Sequence, residues 1–229
     1  MTLRHPVMLF AAGFGTRMGE LTKSRPKPLV PVADKPLLDH ALDLVAQAGG
    51  ARTVVNTHYL GQKITDYLAD RDIAISHEPD ILETGGGLLN ALPLLDSDAV
   101  MTLNTDAVWA GPNPLTMLQA AWDPARMDAL LLCLPKENAL GHKGAGDFVS
   151  DNDGPARRGP GLVYSGVQII KTAGLHDIQE KAFSLNVLWS RMIDQQRLFI
   201  LPYDGHWCDV GHPAGITLAE EMLNAHGSV

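Results

Sequence analysis

Leu9-Phe10-Ala11-Ala12-Gly13-Phe14-Gly15-Thr16-Arg17-Met18 lies near the amino terminus, and Arg25-Pro26-Lys27-Pro28-Leu29-Val30-Pro31-Val32 follows closely. Val7 to Ala11 is apolar and short, as a buried strand would be, and the chain passes from it directly into glycine. Glycines beyond a strand's carboxyl end let backbone N–H groups approach anionic oxygens, and Arg17 and Lys27 add cations nearby. A strand, a glycine loop and two positioned cations are the parts that hold a nucleoside triphosphate.

Outward from this stretch, apolar strands and amphipathic helices alternate. Leu37, Leu38, Ala41, Leu42, Val45 and Ala48 recur at helical spacing, and Gly49-Gly50 end that helix. Arg52 to Asn56 predicts a second strand, Leu60 to Leu68 a second helix, and Ile73 to His77 a third strand. Thr84 to Leu92 predicts a short helix opened by a glycine triplet, and Ala99 to Leu103 a buried strand ending at Asn104-Thr105-Asp106. This βαβα order predicts an α/β, Rossmann-like fold: a mostly parallel, mixed sheet with helices on both faces. Ligands of such sheets sit beyond the carboxyl ends of the strands, where the glycine loop and Asp106 both fall.

The second half is less regular. Leu130 to Leu134, Phe148-Val149, Leu162 to Ile170 and Leu198 to Leu201 read as strands, and Asn186 to Gln195 and Ile216 to Leu223 as helices. Ala139 to Gly161 reads mainly as loops. No repeat or linker divides the chain, so one domain over residues 1–229 is expected.

Composition narrows the function. Lys and Arg number 18 against 26 Asp and Glu, a formal charge of −8, which argues against non-specific nucleic-acid binding. A local cationic pocket still accommodates a nucleotide. The two cysteines, Cys133 and Cys208, have no metal-ligand spacing and make no disulfide framework, so a reducing cytoplasm is expected. No signal pattern is evident, and no run approaches the ~18 apolar residues of a membrane span. Nine histidines show no zinc spacing.

The glycine loop is not a dinucleotide fingerprint. Gly13, Gly15 and Gly19 fall as G-x-G-x-x-x-G, and the P-loop spacing is absent. A plain tight turn would explain the glycines alone, and a solvated loop lysine would explain Lys27; the cations together favour the phosphate reading. Asp106 at a strand end is either a turn former or a metal ligand. Asp209, about a hundred residues later, is either a cap before Gly211 or the second ligand. Glu78 precedes Pro79 and is either a surface carboxylate or an acceptor for a base N–H.

Taken together, Leu9 to Met18 with Pro26-Lys27-Pro28-Leu29 resembles the signature of the sugar-1-phosphate nucleotidyltransferases. The likeness continues at Glu78-Pro79, Leu82-Glu83-Thr84-Gly85-Gly86-Gly87, Asn104-Thr105-Asp106 and Trp207-Cys208-Asp209-Val210-Gly211. With Gly144-Ala145-Gly146-Asp147-Phe148, it is most similar to the uridylyltransferase branch that takes N-acetylmuramate 1-phosphate in cell-wall recycling. The resemblance implies a nucleotidyltransferase fold and a reaction of nucleoside triphosphate with sugar 1-phosphate, giving NDP-sugar and pyrophosphate. It implies a nucleotide-binding half, 1–106, and a sugar-binding half, 107–229, that carries the second metal ligand.

Within that family, Asp106 and Asp209 would hold Mg²⁺, and Arg17 and Lys27 would be catalytic. Nucleotide contacts would come from Ala11, Ala12, Gly13, Gly15, Thr16, Arg17, Glu78, Glu83, Thr84, Gly85 and Asn104. Sugar contacts would come from Asp147, Ser165, Gly166 and Asn186. The partners are the two substrates, without nucleic acid or membrane, and the protein would be a monomer or homodimer. Thr105, Phe14, Arg25 and His212 depart from the family pattern. Arg157-Arg158 are read as solvated, with a lid over the sugar phosphate as the lesser alternative, and Trp109, Trp122, Trp189 and Trp207 as packing residues. Mannose-1-phosphate guanylyltransfer, thymidylyl or choline-phosphate cytidylyl transfer, and a non-catalytic nucleotide sensor stand as alternatives. The glycine spacing disfavours a dinucleotide oxidoreductase.

Overall fold

Strand β1 (Val7–Phe10) is the pivot of the sheet in the computed structural model, which describes residues 2–151 and 153–227. Two-residue strands β2 (Pro31–Val32) and β3 (Lys35–Pro36) lead into helix α1 (Leu37–Gln47). Then follow β4 (Thr53–Thr57), α2 (Gly61–Tyr67), β5 (Ala74–His77), α3 (Glu83–Leu95) and β6 (Ala99–Asn104). The next elements are β7 (Ala107–Ala110), α4 (Pro114–Ala121), β8 (Ala129–Leu134) and β9 (Ala139–Leu140). A hairpin of β10 (Phe148–Ser150) and β11 (Ala156–Arg158) precedes the long β12 (Val163–Lys171). Helix α5 (Asn186–Asp194), β13 (Leu198–Pro202), β14 (His206–Asp209) and α6 (Pro213–His226) complete the order.

Seven strands form the main sheet in the order β13-β8-β12-β6-β1-β4-β5. β1 runs parallel to both β4 and β6, and β13 parallel to β8. β12 is antiparallel to β6 and to β8, which makes the sheet mixed. Alternation along the strands explains the two faces. Val7, Leu9 and Leu103 point to a core shared with α1, α2 and α4 through Leu38, Ile64 and Leu115. Met8, Val54 and Leu131 point to the opposite core, closed by Leu88 of α3 and Leu188 of α5. Each fully buried aliphatic side chain contributes roughly 1.5–3 kcal/mol.

Beside this sheet, β14 pairs antiparallel with β7 and parallel with β9, and α6 covers them through Ala219 and Met222. Beyond the sequence expectation are the short strands β2, β3, β9 and β11, and also β7 and α4, which follow Asp106. Helix α4 has a local cause. The Asn113 side chain accepts from the amides of Leu115 and Thr116, and Pro114 stands at the first helical position. Helix α3 starts one residue before and ends three residues after the span expected from sequence.

Candidate active site

The carboxyl ends of β1 and β6 open onto a cavity of about 230 Å³ lined by Ala11, Ala12, Gly13, Lys27, Asn104 and Asp106, among others. Among the described residues, the amides of Ala12, Gly13, Phe14 and Gly15 donate to no protein acceptor. Gly15 adopts φ 64°, and a Cβ there would lie 3.0 Å from Lys27 Cβ and Thr22 Cγ2. Only glycine lets the loop close over the lysine stem in this way. Gly15, Thr16 and Arg17 therefore lie beyond the cavity wall, and Ala11, Ala12 and Gly13 form it. Phe14 is exposed, with its ring edge-on to His58 at 5.2 Å and tilted against Tyr59 at 5.9 Å, so it pins the loop to the start of α2.

Lys27 is no solvated loop lysine. It sits between Pro26 and Pro28 at the start of a 3-10 turn, is only 8% exposed, and donates through Nζ to Asp106 Oδ2 at 2.8 Å. Asp106 occupies the turn between β6 and β7, and its backbone carbonyl accepts from the Val210 amide at 2.9 Å. Asp209 pairs in register with Ala107, the residue after Asp106, so the two aspartates come together at the end of the β7–β14 ladder. Burial, and then the charge of Asp106, push the Asp209 carboxyl above its ordinary value, against the opposing charges of Lys27, Arg17 and His212. A Cβ at Gly211 would fall 3.0 Å from Arg17 Nη1 and 2.9 Å from Asp209 Oδ2, which places that guanidinium beside the pair. Two crowded carboxylates, one disfavoured in its ionised form, suit a hard cation that takes its other oxygens from phosphates and water. Among the described residues no three His, Cys, Asp or Glu side chains cluster to hold a metal alone. Thr105 donates its hydroxyl to the Phe10 carbonyl at 2.7 Å and ties β1 to this turn.

Glu78 forms part of the opposite wall and is 0% exposed, which excludes a surface role. Its Oε1 accepts from Asn56 Nδ2 at 2.7 Å and its Oε2 from the Leu82 amide at 3.1 Å. Asn56 Oδ1 in turn accepts from the Ala11 amide at 2.6 Å. A buried chain of polar contacts thus joins β1, β4 and the approach to α3. Glu83 and Thr84 complete the wall, whereas Gly85 turns away: its amide donates to the Phe183 carbonyl at 2.8 Å. A Cβ at Gly85 would meet the Phe183 ring at 2.3 Å, one at Gly86 the Lys181 carbonyl oxygen at 2.4 Å, and one at Gly87 Glu78 Oε1 at 2.6 Å. The glycine triplet is a packing device.

Thr84, Asn104 and Phe10 also line a second cavity of about 280 Å³, with Asp147, Arg158, Asn186 and Trp189 on its other walls. Asp147 and Asn186, two of the expected sugar contacts, are brought together on this cavity. Asp147 Oδ2 accepts from the Tyr164 amide at 2.9 Å. Ser165, expected among the sugar contacts, does not line this cavity: it is 1% exposed, and at the irregular step of β12 its hydroxyl donates to the Leu132 carbonyl of the neighbouring strand at 2.6 Å. Gly166 contributes indirectly. It sits at φ 84° within the register shift of β12, and a Cβ would lie 2.8 Å from Asn104 Nδ2. Arg158, read as solvated from sequence, is exposed as expected, but it also borders this cavity, with its guanidinium 4.7 Å above the Phe148 ring and 5.5 Å from that of Trp189. Its place depends on the register Phe148↔Arg158 in the hairpin, which composition does not reveal. Trp109, Trp189 and Trp207 are buried packing residues, as expected.

A sequence model of the MobA-like NTP transferase domain matches residues 7–219, and so spans both cavities. The chain belongs to that family. This NTP transferase is 39% identical to the N-acetylmuramate alpha-1-phosphate uridylyltransferase of Caulobacter vibrioides, over 94% of its own length and 96% of the relative's. Its identity to the protein of the same name from Neisseria meningitidis serogroup B is 34%, over 95% and 98% of the two lengths. Its fold matches a crystal structure of HddC from Yersinia pseudotuberculosis complexed with GMP-PN, with a TM-score of 0.78 at 20% identity, covering 95% of this chain and 98% of that one. Among the described residues, no helix of the NTP transferase is long and apolar enough to cross a membrane.

Proposed function

We propose that this nucleotidyltransferase joins UTP to N-acetylmuramate 1-phosphate, giving UDP-N-acetylmuramate and pyrophosphate, in the cytoplasm. The base and sugar are supported by two relatives of that activity that align over nearly their full length. The observation that carries the chemistry is the Lys27–Asp106–Asp209 cluster at the first cavity, which shares Phe10, Thr84 and Asn104 with the second. The nucleotide would occupy the cavity of the 1–106 half, with its phosphates on the amides of Ala12 to Gly15. The sugar would occupy the cavity beside Asp147 and Asn186, in the 107–229 half, and present its phosphate toward Asp106.

One sugar-phosphate oxygen attacks the α-phosphorus as the bond from that phosphorus to the pyrophosphate oxygen breaks. No covalent enzyme intermediate is required, so the protein contributes positioning and electrostatics. Lys27 would leave Asp106 for the α-phosphate oxygens as charge builds there. Arg17 would hold the departing pyrophosphate. Mg²⁺, carried by Asp106 and Asp209, would neutralise phosphate charge. Glu78 would act through Asn56 and Leu82, keeping the base wall in shape.

Pyrophosphate release decides the matter, with UTP, GTP, dTTP and CTP crossed against N-acetylmuramate, N-acetylglucosamine, glucose and mannose 1-phosphates. Turnover confined to UTP with N-acetylmuramate 1-phosphate, abolished by EDTA or Asp106→Asn and restored to wild type by Mg²⁺, is the expected result. Turnover with a different pair would reject the substrates; tight nucleotide binding without turnover would reject the chemistry.

A further inference from the structure

The sugar-side cavity contains one cation among its described lining residues, and that cation is Arg158. The hairpin register sets Arg158 directly opposite Phe148, and the guanidinium stacks across the rings of Phe148 and Trp189. Stacking of this kind holds the plane and leaves the N–H edge free to form hydrogen bonds. One of its five N–H donors is spent on Asn186 Oδ1, a neutral amide. Among the described residues no carboxylate lies within ion-pair distance of Arg158; Asp147, on the same cavity, attracts it at longer range and accepts from the Tyr164 amide through Oδ2. By contrast, the neighbouring Arg157 is ion-paired to Asp151 at 2.9 Å on the outer side of the hairpin. The chain therefore keeps an exposed, stacked, forked cation, without an ion pair among the described residues, on the sugar cavity and off the cavity that Lys27 and Asp106 line.

The 1-phosphate of an uncharged hexose has no second group that needs such a charge. Its one anion is the phosphate, and that end belongs beside Lys27. N-acetylmuramate differs from N-acetylglucosamine only by a lactyl ether, which ends in a carboxylate. We propose that Arg158 is the specificity-determining residue that binds the second anion of the acceptor, the lactyl carboxylate, as a bidentate pair. The proposal deepens the substrate reading above and rests on it. Asp147 and Asn186 then serve sugar hydroxyl and amide groups, and Arg158 separates a carboxylated sugar from its uncharged parent.

The test uses three acceptors with UTP: N-acetylmuramate 1-phosphate, its lactyl methylamide, and N-acetylglucosamine 1-phosphate. Wild-type enzyme should favour the acid over the methylamide by roughly 10- to 100-fold in kcat/KM, expressed mainly in KM. Arg158→Gln should compress that ratio to within about threefold, and Arg158→Lys should restore part of it. Thermal melts of both variants check that the hairpin is intact. Equal losses for all three acceptors would overturn the proposal and assign Arg158 to the shared phosphate or to hairpin packing. An unchanged acid-to-methylamide ratio in Arg158→Gln would overturn it as well. Wild-type enzyme inactive on N-acetylmuramate 1-phosphate but active on another acceptor would instead remove the substrate reading and, with it, this inference.

Discussion

Glu78→Gln is a near-isosteric change whose cost follows from the buried contacts around it. Two donors converge on the carboxylate, Asn56 Nδ2 on one oxygen and the Leu82 amide on the other. A glutamine offers one oxygen, and its NH₂ must face the second donor. Asn56 cannot turn to relieve the clash, because its own oxygen accepts from the Ala11 amide at 2.6 Å. Whichever way the new amide lies, one buried donor loses its acceptor. Each charge-assisted bond contributes ~1.5–3 kcal/mol, and relief of the buried charge offsets part of the loss. The expected net is about 2 kcal/mol, or roughly 4–8 °C in melting temperature for a chain of this length. Urea unfolding at pH 7 measures it, alongside KM for UTP, which should rise as the Ala11 and Leu82 segments shift. A double-mutant cycle with Asn56→Ala should be non-additive by about 1 kcal/mol. Wild-type stability with altered base preference would refute the reasoning, and would mean that the carboxylate contacts the base itself.

Three further outcomes are expected. Lys27→Met keeps the buried stem and removes the charge, so kcat should fall roughly 10²- to 10³-fold in steady-state assays, with a much smaller change in melting temperature. Gly166→Ala puts a Cβ 2.8 Å from Asn104 Nδ2 at a φ of 84°, so KM for the sugar phosphate should rise and the melting temperature should fall. Burial alone would raise the Asp128 carboxyl, but hydrogen bonds from Lys171 and Arg197 outweigh it and hold the group below its ordinary value. A depressed folded value means that this stabilisation is complete above the ordinary carboxylate range and is lost as pH falls through the folded value. Urea midpoints of wild type and Asp128→Asn should therefore differ at pH 7 and converge on acidification; a constant gap would refute the assignment.

The first strand was legible because a parallel strand buried on both faces carries an unbroken apolar run, as Val7 to Phe10 does, and β4 because β-branched Thr and Val dominate Thr53 to Thr57. Lys27 and Asp106 were legible as candidates because chain punctuation marks them, with prolines around one and a strand end before the other. Helix α4 was missed although Asn113-Pro114 is a start signal; the short run that follows is apolar on too few faces to show a period. Ser165 misled because Gly166 and a register shift interrupt β12 next to it, and residue order does not say which side of a bulged strand faces a cavity. Arg158 was missed because its environment comes from partners distant in sequence: Trp189 and Asn186 lie on another element.

The first turn of α3 carries three consecutive glycines, each costing roughly 1 kcal/mol of helix preference relative to alanine. That turn has little reason to be helical on its own account. It is fastened to residues 183–185 by the amides of Gly85 and Gly86 on the Phe183 carbonyl, by the Phe183 amide on Leu82, and by the Leu185 amide on Thr84 Oγ1. Thr84 borders the first cavity, and Ser184, Leu185 and Asn186 border the second. The two walls thus behave as one cooperative unit in local unfolding, protected or exposed together. Amide hydrogen exchange at Gly85, Gly86, Phe183 and Leu185 should slow in concert when either substrate binds, even in the half of the site that the substrate does not touch.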